Sequence, residues 1–154
     1  MNPESLISAV IAIEPLAVKR EQCDKIAVNV PQEALLKLMQ RLHDEPALAF
    51  DMLYTHTAID YPAENRFELV YLLASLKLGH QLMVTTSISR EKPEIPTVSS
   101  VWRIAEWHER EVYDLFGILY EGHPDLRRVF LEDDWKGFPL RKDYKDDFML
   151  EMPE

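Results

Sequence analysis

The chain has 154 residues and a formal net charge of −10 at pH 7. This length is typical of one domain with a substantial core, and the acidic excess argues against binding to nucleic acids or anionic membranes. The single cysteine, Cys23, can neither form a disulfide within the chain nor hold an iron–sulfur cluster, which needs several thiolates. It has no basic cluster beside it in sequence, so it is interpreted as a spectator thiol in a reduced, cytoplasmic setting.

The sequence predicts neither a targeting segment nor a membrane span. The N-terminus lacks the basic start of a signal peptide, and Glu14 interrupts its first apolar run. A later run, Leu69–Leu78, is broken by Lys77 and is too short to cross a bilayer. Neither common form of glycine-rich phosphate loop occurs. We therefore expect membrane contact only through other chains.

Helices and short strands alternate in the first third of the chain. An Asn-Pro start predicts a capped helix over Asn2–Ile13. Strands are predicted over Ala17–Glu21 and Lys25–Val30. A second helix is predicted to open at Pro31 and to end before Pro46, because the residue that precedes a proline disfavours helical geometry.

Three longer strands follow with short connections, which predicts an antiparallel meander. They cover Phe50–Asp60, Phe67–Ser75 and Gln81–Ser89. Phe67 and Val84 are expected on the covered face or in the strand core. The predicted fold class is therefore α+β, with a single mixed or antiparallel sheet, helices packed on it, and an extended C-terminal tail.

A third helix is predicted over Ser99–Gly117, with a serine as N-cap and the glycine as a left-handed stop. Pro93 and Pro96 before it predict a loop. Apolar positions of the helix recur at helical spacing and form one stripe. That stripe contains Val101, Ala105, His108, Val112 and Leu115. Charged side chains occupy the flanks, where Arg110 and Asp114 have ion-pair spacing.

Two groups of side chains admit a metal or acid–base interpretation. His108-Glu109 begins like the zinc-binding helix H-E-x-x-H, but the position of the second histidine is Val112. Ion pairs on a helix flank are the simpler interpretation of the carboxylates around it. His56 and Asp60 lie on one face of a predicted strand, where they could perform acid–base chemistry. A local hydrogen bond is the simpler interpretation of that pair.

Three blocks in the last third of the chain form a specific signature. They read EREVYDLFGI over residues 109–118, GHPDLRR over 122–128, and DWxGxPLRKDY over 134–144, where x is any residue. In this order and spacing they resemble the 30 kDa subunit family of respiratory complex I, which is the C subunit of NADH-quinone oxidoreductase. Related subunits of photosynthetic NDH complexes and membrane-bound hydrogenases share the motif, so the parent enzyme stays open.

The resemblance implies a structural subunit without a flavin or an iron–sulfur cluster of its own. Such a protein packs beside the D subunit of the same enzyme in the hydrophilic arm, near the quinone-reducing end, on the cytoplasmic side of the membrane. Flavin and clusters are then held by partner subunits, and this chain has no catalytic, cofactor-binding or metal-binding residue. A small metal-dependent hydrolase that uses the carboxylates around His108 is the alternative from a different class.

The predicted organisation is an α+β domain over residues 1–116 and a partner-binding tail over residues 117–154. The tail combines aromatic and cationic side chains, which anchor many interfaces. The signature residues expected at the partner interface are Glu109, Arg110, Glu111, Asp114, His123, Pro124, Asp125, Arg127, Arg128, Trp135, Arg141, Lys142 and Tyr144. If the cations of the tail pair with partner groups, Arg127 and Arg128 are dispensable for the stability of the isolated chain.

Overall fold

The computed structural model describes residues 2–21 and 23–147. Within them lie three α-helices: α1 (Pro3–Ile13), α2 (Gln32–Asp44) and α3 (Ala105–Phe116). The strands are β1 (Val18–Lys19), β2 (Ala27–Asn29), β3 (Met52–Tyr61), β4 (Arg66–Ser75), β5 (His80–Ser89), β6 (Glu94–Pro96) and β7 (Leu119–Glu121). A 3-10 turn, Pro62–Glu64, joins β3 to β4.

Five strands form one mixed sheet in the order β1-β2-β5-β4-β3. The meander β3–β4–β5 is antiparallel, as predicted, whereas β2 pairs with β5 in parallel. The predicted α+β class with a mixed sheet is confirmed. A parallel pair needs a crossover between its strands, and here the crossover carries α2 and the first two strands of the meander, β3 and β4.

Local signals account for the first two helices. The side chain of Asn2 accepts a hydrogen bond from the Ser5 amide at 2.8 Å, and Pro3 occupies the first helical position, where its missing N–H costs nothing. The second helix begins directly after Pro31 and ends before Pro46, as the proline positions predict.

The three helices pack on one face of the sheet around a single core. Alternate residues of the central strands contribute to it, because side chains of a strand point to opposite faces in turn. These residues are Phe67, Leu69, Tyr71 and Leu73 of β4 and Leu82, Val84 and Ile88 of β5. Phe67 and Val84 are both completely buried, so the predicted phase of the two strands is confirmed. From α3, Phe116 meets the ring of Phe67 edge-on at 6.2 Å.

Two local predictions are wrong. The Pro93–Pro96 segment is not only a loop, because Glu94–Pro96 pairs in parallel with Leu119–Glu121. The third helix begins at Ala105 rather than at Ser99, since the residues before it form turns in which the amides of Val101 and Trp102 bond to the Val98 carbonyl. The Trp102 indole also donates to the Phe50 carbonyl at 2.9 Å, which holds these turns against the sheet.

The predicted apolar stripe of α3 is displaced. Ala105 and Val112 are buried as expected, but His108 is only half-buried, and the buried face continues through Glu109 and Phe116. Asp114 is also completely buried. Interpreting the carboxylates of α3 as surface ion pairs is therefore wrong for Glu109 and Asp114, both of which have lost contact with water.

After β7 the described chain has no further helix or strand and runs over the surface of the domain to Asp147. The first residues of the predicted tail belong to the core, because Ile118 and Tyr120 are buried there and Gly117 takes the left-handed conformation that ends α3. A side chain at Gly117 would also collide with the ring of Phe138. The predicted division into a domain over residues 1–116 and a partner-binding tail over residues 117–154 stays a prediction.

Candidate functional site

The signature residues converge where the C-terminal segment lies along α3, and Asp114 is the centre of this arrangement. One carboxylate oxygen accepts hydrogen bonds from the backbone amides of Val129, Phe130 and Leu131 at 3.0, 2.7 and 3.1 Å. The other accepts from the Arg128 guanidinium at 2.8 Å. A single buried side chain therefore holds three successive residues of the segment in place.

The ionised form of Asp114 is favoured in this position. Burial by itself raises the pKa of a carboxyl group, but the hydrogen bonds from Arg128 and the three amides favour the anion, and the net result is a pKa below the ordinary value. Charge-assisted hydrogen bonds of this kind are the strong class. We conclude that Asp114 remains charged although it has no contact with solvent.

Arg128 and Arg110 complete the attachment of the segment. Arg128 also donates to the carbonyls of Trp135 and Gly137 at 3.1 and 3.2 Å, so it fastens the next turn of the chain. The spacing in sequence predicted an ion pair between Arg110 and Asp114, and this pair is not formed. Arg110 instead donates to the carbonyls of Arg127 and Arg128, both at 3.2 Å. Arg128 takes the position beside Asp114 that the sequence spacing predicted for Arg110.

A second attachment joins the end of the segment to the end of β3. Asp60 forms a buried ion pair with Arg90 at 2.8 Å and accepts the Lys142 amide at 2.9 Å. Arg90 reaches further to Asp143 at 2.9 Å, and Arg141 donates to the Phe116 carbonyl at 2.7 Å. Asp60 therefore binds the C-terminal segment to the end of β3. Its predicted hydrogen bond with His56 is not formed.

Arg128 and Arg141 are bonded within the chain, to the Asp114 carboxylate and to the Phe116 carbonyl, and their place at a partner interface stays a prediction. Arg128 is needed to satisfy Asp114, so it is not dispensable for stability, whereas Arg127 lies on the surface in an ion pair with Asp125. Of the other signature residues, Glu111, Pro124, Asp125, Trp135 and Lys142 are exposed and Tyr144 is half-buried. The side chains of Glu109 and His123 are buried.

Glu109 lies at the other end of α3 in a second buried cluster. Its carboxyl group accepts from the Val98 amide at 2.8 Å, contacts the Thr97 hydroxyl, and lies 3.8 Å from Nε2 of His123. The His123 ring donates from Nε2 to the Glu106 carbonyl and accepts the Asp125 amide at Nδ1, so these bonds require the neutral tautomer. No described cation balances Glu109, and burial raises its pKa to about 7.

His56 is a core residue rather than an acid–base group. Nδ1 donates to the Val70 carbonyl at 3.0 Å, and Nε2 accepts from the Tyr120 hydroxyl at 2.6 Å. The ring stacks on Tyr71 at 4.0 Å. Burial lowers the pKa of His56 to about 3, so the imidazole is neutral at physiological pH and links β3 to β7.

Several large apolar side chains of the segment and of α3 are exposed among charged ones. Phe130 is 65% exposed, Trp107 59% and Leu140 51%. Trp107 lies on α3 with the Arg110 guanidinium over its ring at 4.9 Å, and Phe130 is the middle one of the three residues held by Asp114. Aromatic side chains on a rigid, hydrogen-bonded backbone are typical of interface anchors. In the described residues no three His, Cys, Asp or Glu side chains are placed to share a metal ion.

Comparison with known proteins decides the family. The sequence model of the family described as respiratory-chain NADH dehydrogenase, 30 Kd subunit, matches residues 28–147. The chain belongs to this family. The NADH-quinone oxidoreductase C subunit of Chlorobium phaeobacteroides is 49% identical over 105 residues, which are 68% of this chain and 63% of that protein. The C 2 subunit of the same enzyme in Rhizobium meliloti is 45% identical over 119 residues, which are 77% of this chain and 65% of that protein.

Two solved structures share the fold. One is described as the membrane-bound sulfane sulfur reductase, an archaeal respiratory membrane complex; the TM-score is 0.81 at 29% identity, covering 92% of this chain and 85% of that chain. The other is a trypsin-resistant fragment (1-134) of Nqo5, with a TM-score of 0.70 at 33% identity, covering 82% of this chain and 100% of that fragment. This chain spans about two thirds or less of the curated relatives that it matches. No helix in the described ranges is long and apolar enough to cross a membrane.

The buried carboxyl group of Glu109 predicts a specific pH dependence of stability. Its folded-state pKa of about 7 lies above the ordinary value of 4.5, so the folded chain binds this proton more tightly than the unfolded chain. Stability from this group is complete below about pH 4.5 and is lost as the pH rises to about 7, by roughly 3 kcal/mol in total. Glu109→Gln should remove this loss, because the amide keeps its oxygen and cannot ionise.

Urea unfolding of both proteins between pH 4.5 and 8 measures this effect. The stability of Glu109→Gln relative to the parent should rise with pH, and the difference cancels the titration of all other groups. Glu111→Gln, on the exposed side of the same helix, is the matched control and should run parallel to the parent. Parallel curves for Glu109→Gln as well would show that this carboxyl group titrates normally.

Proposed function

We propose that this chain is a structural subunit of a proton-translocating NADH-quinone oxidoreductase, in which it packs beside the D subunit in the hydrophilic arm near the quinone-reducing end. Family membership supports the parent class. In this proposal the chain holds no flavin, cluster or metal of its own and takes no part in the chemistry. It is a peripheral protein on the cytoplasmic side of the membrane, held there by its partners.

One observation carries the structural role. Three charged residues of the signature hold the C-terminal segment in place, because Asp114, Arg110 and Arg128 bond to backbone groups of the segment or to each other. To the outside the segment presents the aromatic and apolar side chains of Phe130, Trp135 and Leu140 among exposed charged ones. A catalytic site would instead need reactive groups that face an accessible pocket.

A related membrane-bound complex is the second candidate for the parent enzyme. The likeness to the archaeal sulfane sulfur reductase complex covers 92% of this chain, so the same fold occurs in a respiratory complex with a different activity. Subunits of photosynthetic NDH complexes or membrane-bound hydrogenases belong to the same alternative. The hydrolase alternative finds no support, because Glu109 is occupied by Thr97 and Val98 and faces no open site.

The exposed aromatic side chain at Phe130 provides the test. Phe130→Asp should leave the melting of the isolated chain nearly unchanged, since the side chain is 65% exposed, but it should reduce co-purification with the D subunit at least about tenfold, as for a desolvated anchor. Leu76→Asp is the matched control. It introduces the same charge at an apolar side chain that is 75% exposed, on the turn between β4 and β5.

Affinity purification from cells that express each variant, with quantification of the subunits recovered, measures the effect. The parent and Leu76→Asp should recover the D subunit together with the cluster-binding subunits. If Phe130→Asp recovers as much of the D subunit as the parent chain does, the C-terminal segment is not part of the interface. Recovery of no oxidoreductase subunit with the parent chain would overturn the proposed function itself.

A further inference from the structure

The two edges of the five-stranded sheet differ strongly. At one edge lies β1, which has two residues, one of them Lys19. Very short edge strands and lysines are the usual means by which proteins prevent further strand pairing. At the other edge lies β3, which has ten residues and pairs only with β4. Its outward N–H and C=O groups have no backbone partner among the described residues.

The edge formed by β3 lacks the lysines and prolines that block many edge strands. Its sequence, MLYTHTAIDY, contains no lysine, arginine or proline. Its one charged side chain, Asp60, is buried in the ion pair with Arg90. The register shifts once, next to Tyr54, and the strand is regular from Thr55 to Tyr61. A long uncharged edge of this kind is a template for another strand.

We infer that β3 binds an extended segment of a neighbouring subunit as a sixth strand of the sheet. This inference rests on the proposed function, which supplies the neighbour, and it names a surface other than the C-terminal segment. Main-chain hydrogen bonds supply the affinity in such a pairing, and alternate side chains supply the specificity. Exposed Tyr54, Thr57 and Ile59 would meet the side chains of the added strand.

The charges at the two ends of β3 restrict the occupant. Arg103 lines a groove with Met52 and Leu53 at one end, and the Lys142 ammonium lies 5.7 Å from the ring of Tyr61 at the other. Neither cation forms an ion pair within the described chain. The segment that fits is apolar in its middle and carries a carboxylate near each end.

A second copy of this chain fits less well. Antiparallel pairing of two β3 strands about a two-fold axis would bring Arg103 of one copy toward Lys142 of the other, and this juxtaposition of like charges disfavours association. Asp51 lines the groove beside Arg103, where its carboxylate accepts the Leu76 amide at 3.0 Å and forms no ion pair with Arg103. We therefore assign the edge to a different protein of the complex.

Hydrogen–deuterium exchange of the whole chain, alone and in the purified complex, tests this inference. In the isolated chain the amides of β3 that point away from β4 should exchange rapidly, whereas those bonded to β4 should be slow. In the complex, peptides that cover residues 52–61 should gain protection of about tenfold or more, while peptides that cover β1 should not change. Unchanged exchange of residues 52–61 in the complex would overturn the inference and leave the proposed function intact.

Two further measurements separate the occupants. Thr57→Lys should reduce recovery with the complex about tenfold, whereas Gln81→Lys, an exposed position on interior strand β5, should not. Self-association of the isolated chain that protects residues 52–61 would assign the edge to a second copy instead. Faster exchange of residues 52–61 after truncation at Asp147 would assign it to the chain's own residues 148–154. Either result overturns the inference of a foreign strand.

Discussion

Replacing Asp114 by alanine should release the C-terminal segment and destabilise the whole domain. The substitution removes the acceptor of three backbone amides and leaves the Arg128 guanidinium, only 12% exposed, without its carboxylate. Removing one partner of a buried, hydrogen-bonded ion pair costs about 3 to 5 kcal/mol. For a domain of this size such a loss lowers the melting temperature by roughly 10 °C.

Two measurements check this prediction. Urea unfolding should show the loss of stability, and limited proteolysis should cut Asp114→Ala within residues 122–147 under conditions in which the parent chain survives. Asp125→Ala is the matched control, since Asp125 is an exposed carboxylate that forms a surface ion pair with Arg127. A protease-resistant segment in Asp114→Ala would mean that other contacts hold it.

Replacing Val84 by aspartate should have the second large effect. Val84 is completely buried on β5, opposite Tyr71 of β4 and beside Val28 of β2. A carboxylate in this position has no cation to pair with and loses its hydration, at a cost of roughly 4 kcal/mol or more. That amount is a large part of the total stability of a typical domain.

Thermal melting and recovery of soluble protein measure this second effect. Gln81→Asp on the same strand is the control, because Gln81 is exposed and an aspartate there stays hydrated. The control should melt close to the parent, whereas Val84→Asp should be largely unfolded at room temperature or recovered only as aggregate. Similar melting of the two variants would contradict the placement of Val84 in the core.

The two predictions depend on different kinds of information. The position of Val84 follows from alternation along β5, which is visible in the sequence because every second residue of a half-buried strand is apolar. The role of Asp114 does not follow from any such pattern. Its spacing from Arg110 indicated a surface ion pair, but folding places Arg128 and three amides around it.

The family resemblance was also available from the sequence, because the three signature blocks are continuous stretches of chain. The roles of the individual charged residues could not be predicted in the same way. Arg110, Arg128 and Arg141 bind carbonyls or carboxylates of their own chain, while a basic residue in an acidic sequence is equally compatible with a partner contact. Only the packing of the segment against α3 distinguishes the two roles.

The elements with local signals could be predicted from the amino-acid sequence alone. These are the capped helix α1, the proline-bounded helix α2, the three strands of the meander, and the stop of α3 at Gly117. Each depends on backbone preferences or on a period of a few residues, so neighbours in sequence are sufficient to predict it.

The pairings between distant residues could be read only from the folded chain. The β6–β7 pair joins segments about 25 residues apart, and the bond between Asp60 and the Lys142 amide spans 82 residues. Three-residue strands have too little periodicity to be predicted, and a buried carboxylate carries no mark of its future donors. Their positions follow from the global arrangement, because a buried anion is stable only where folding brings enough donors to it.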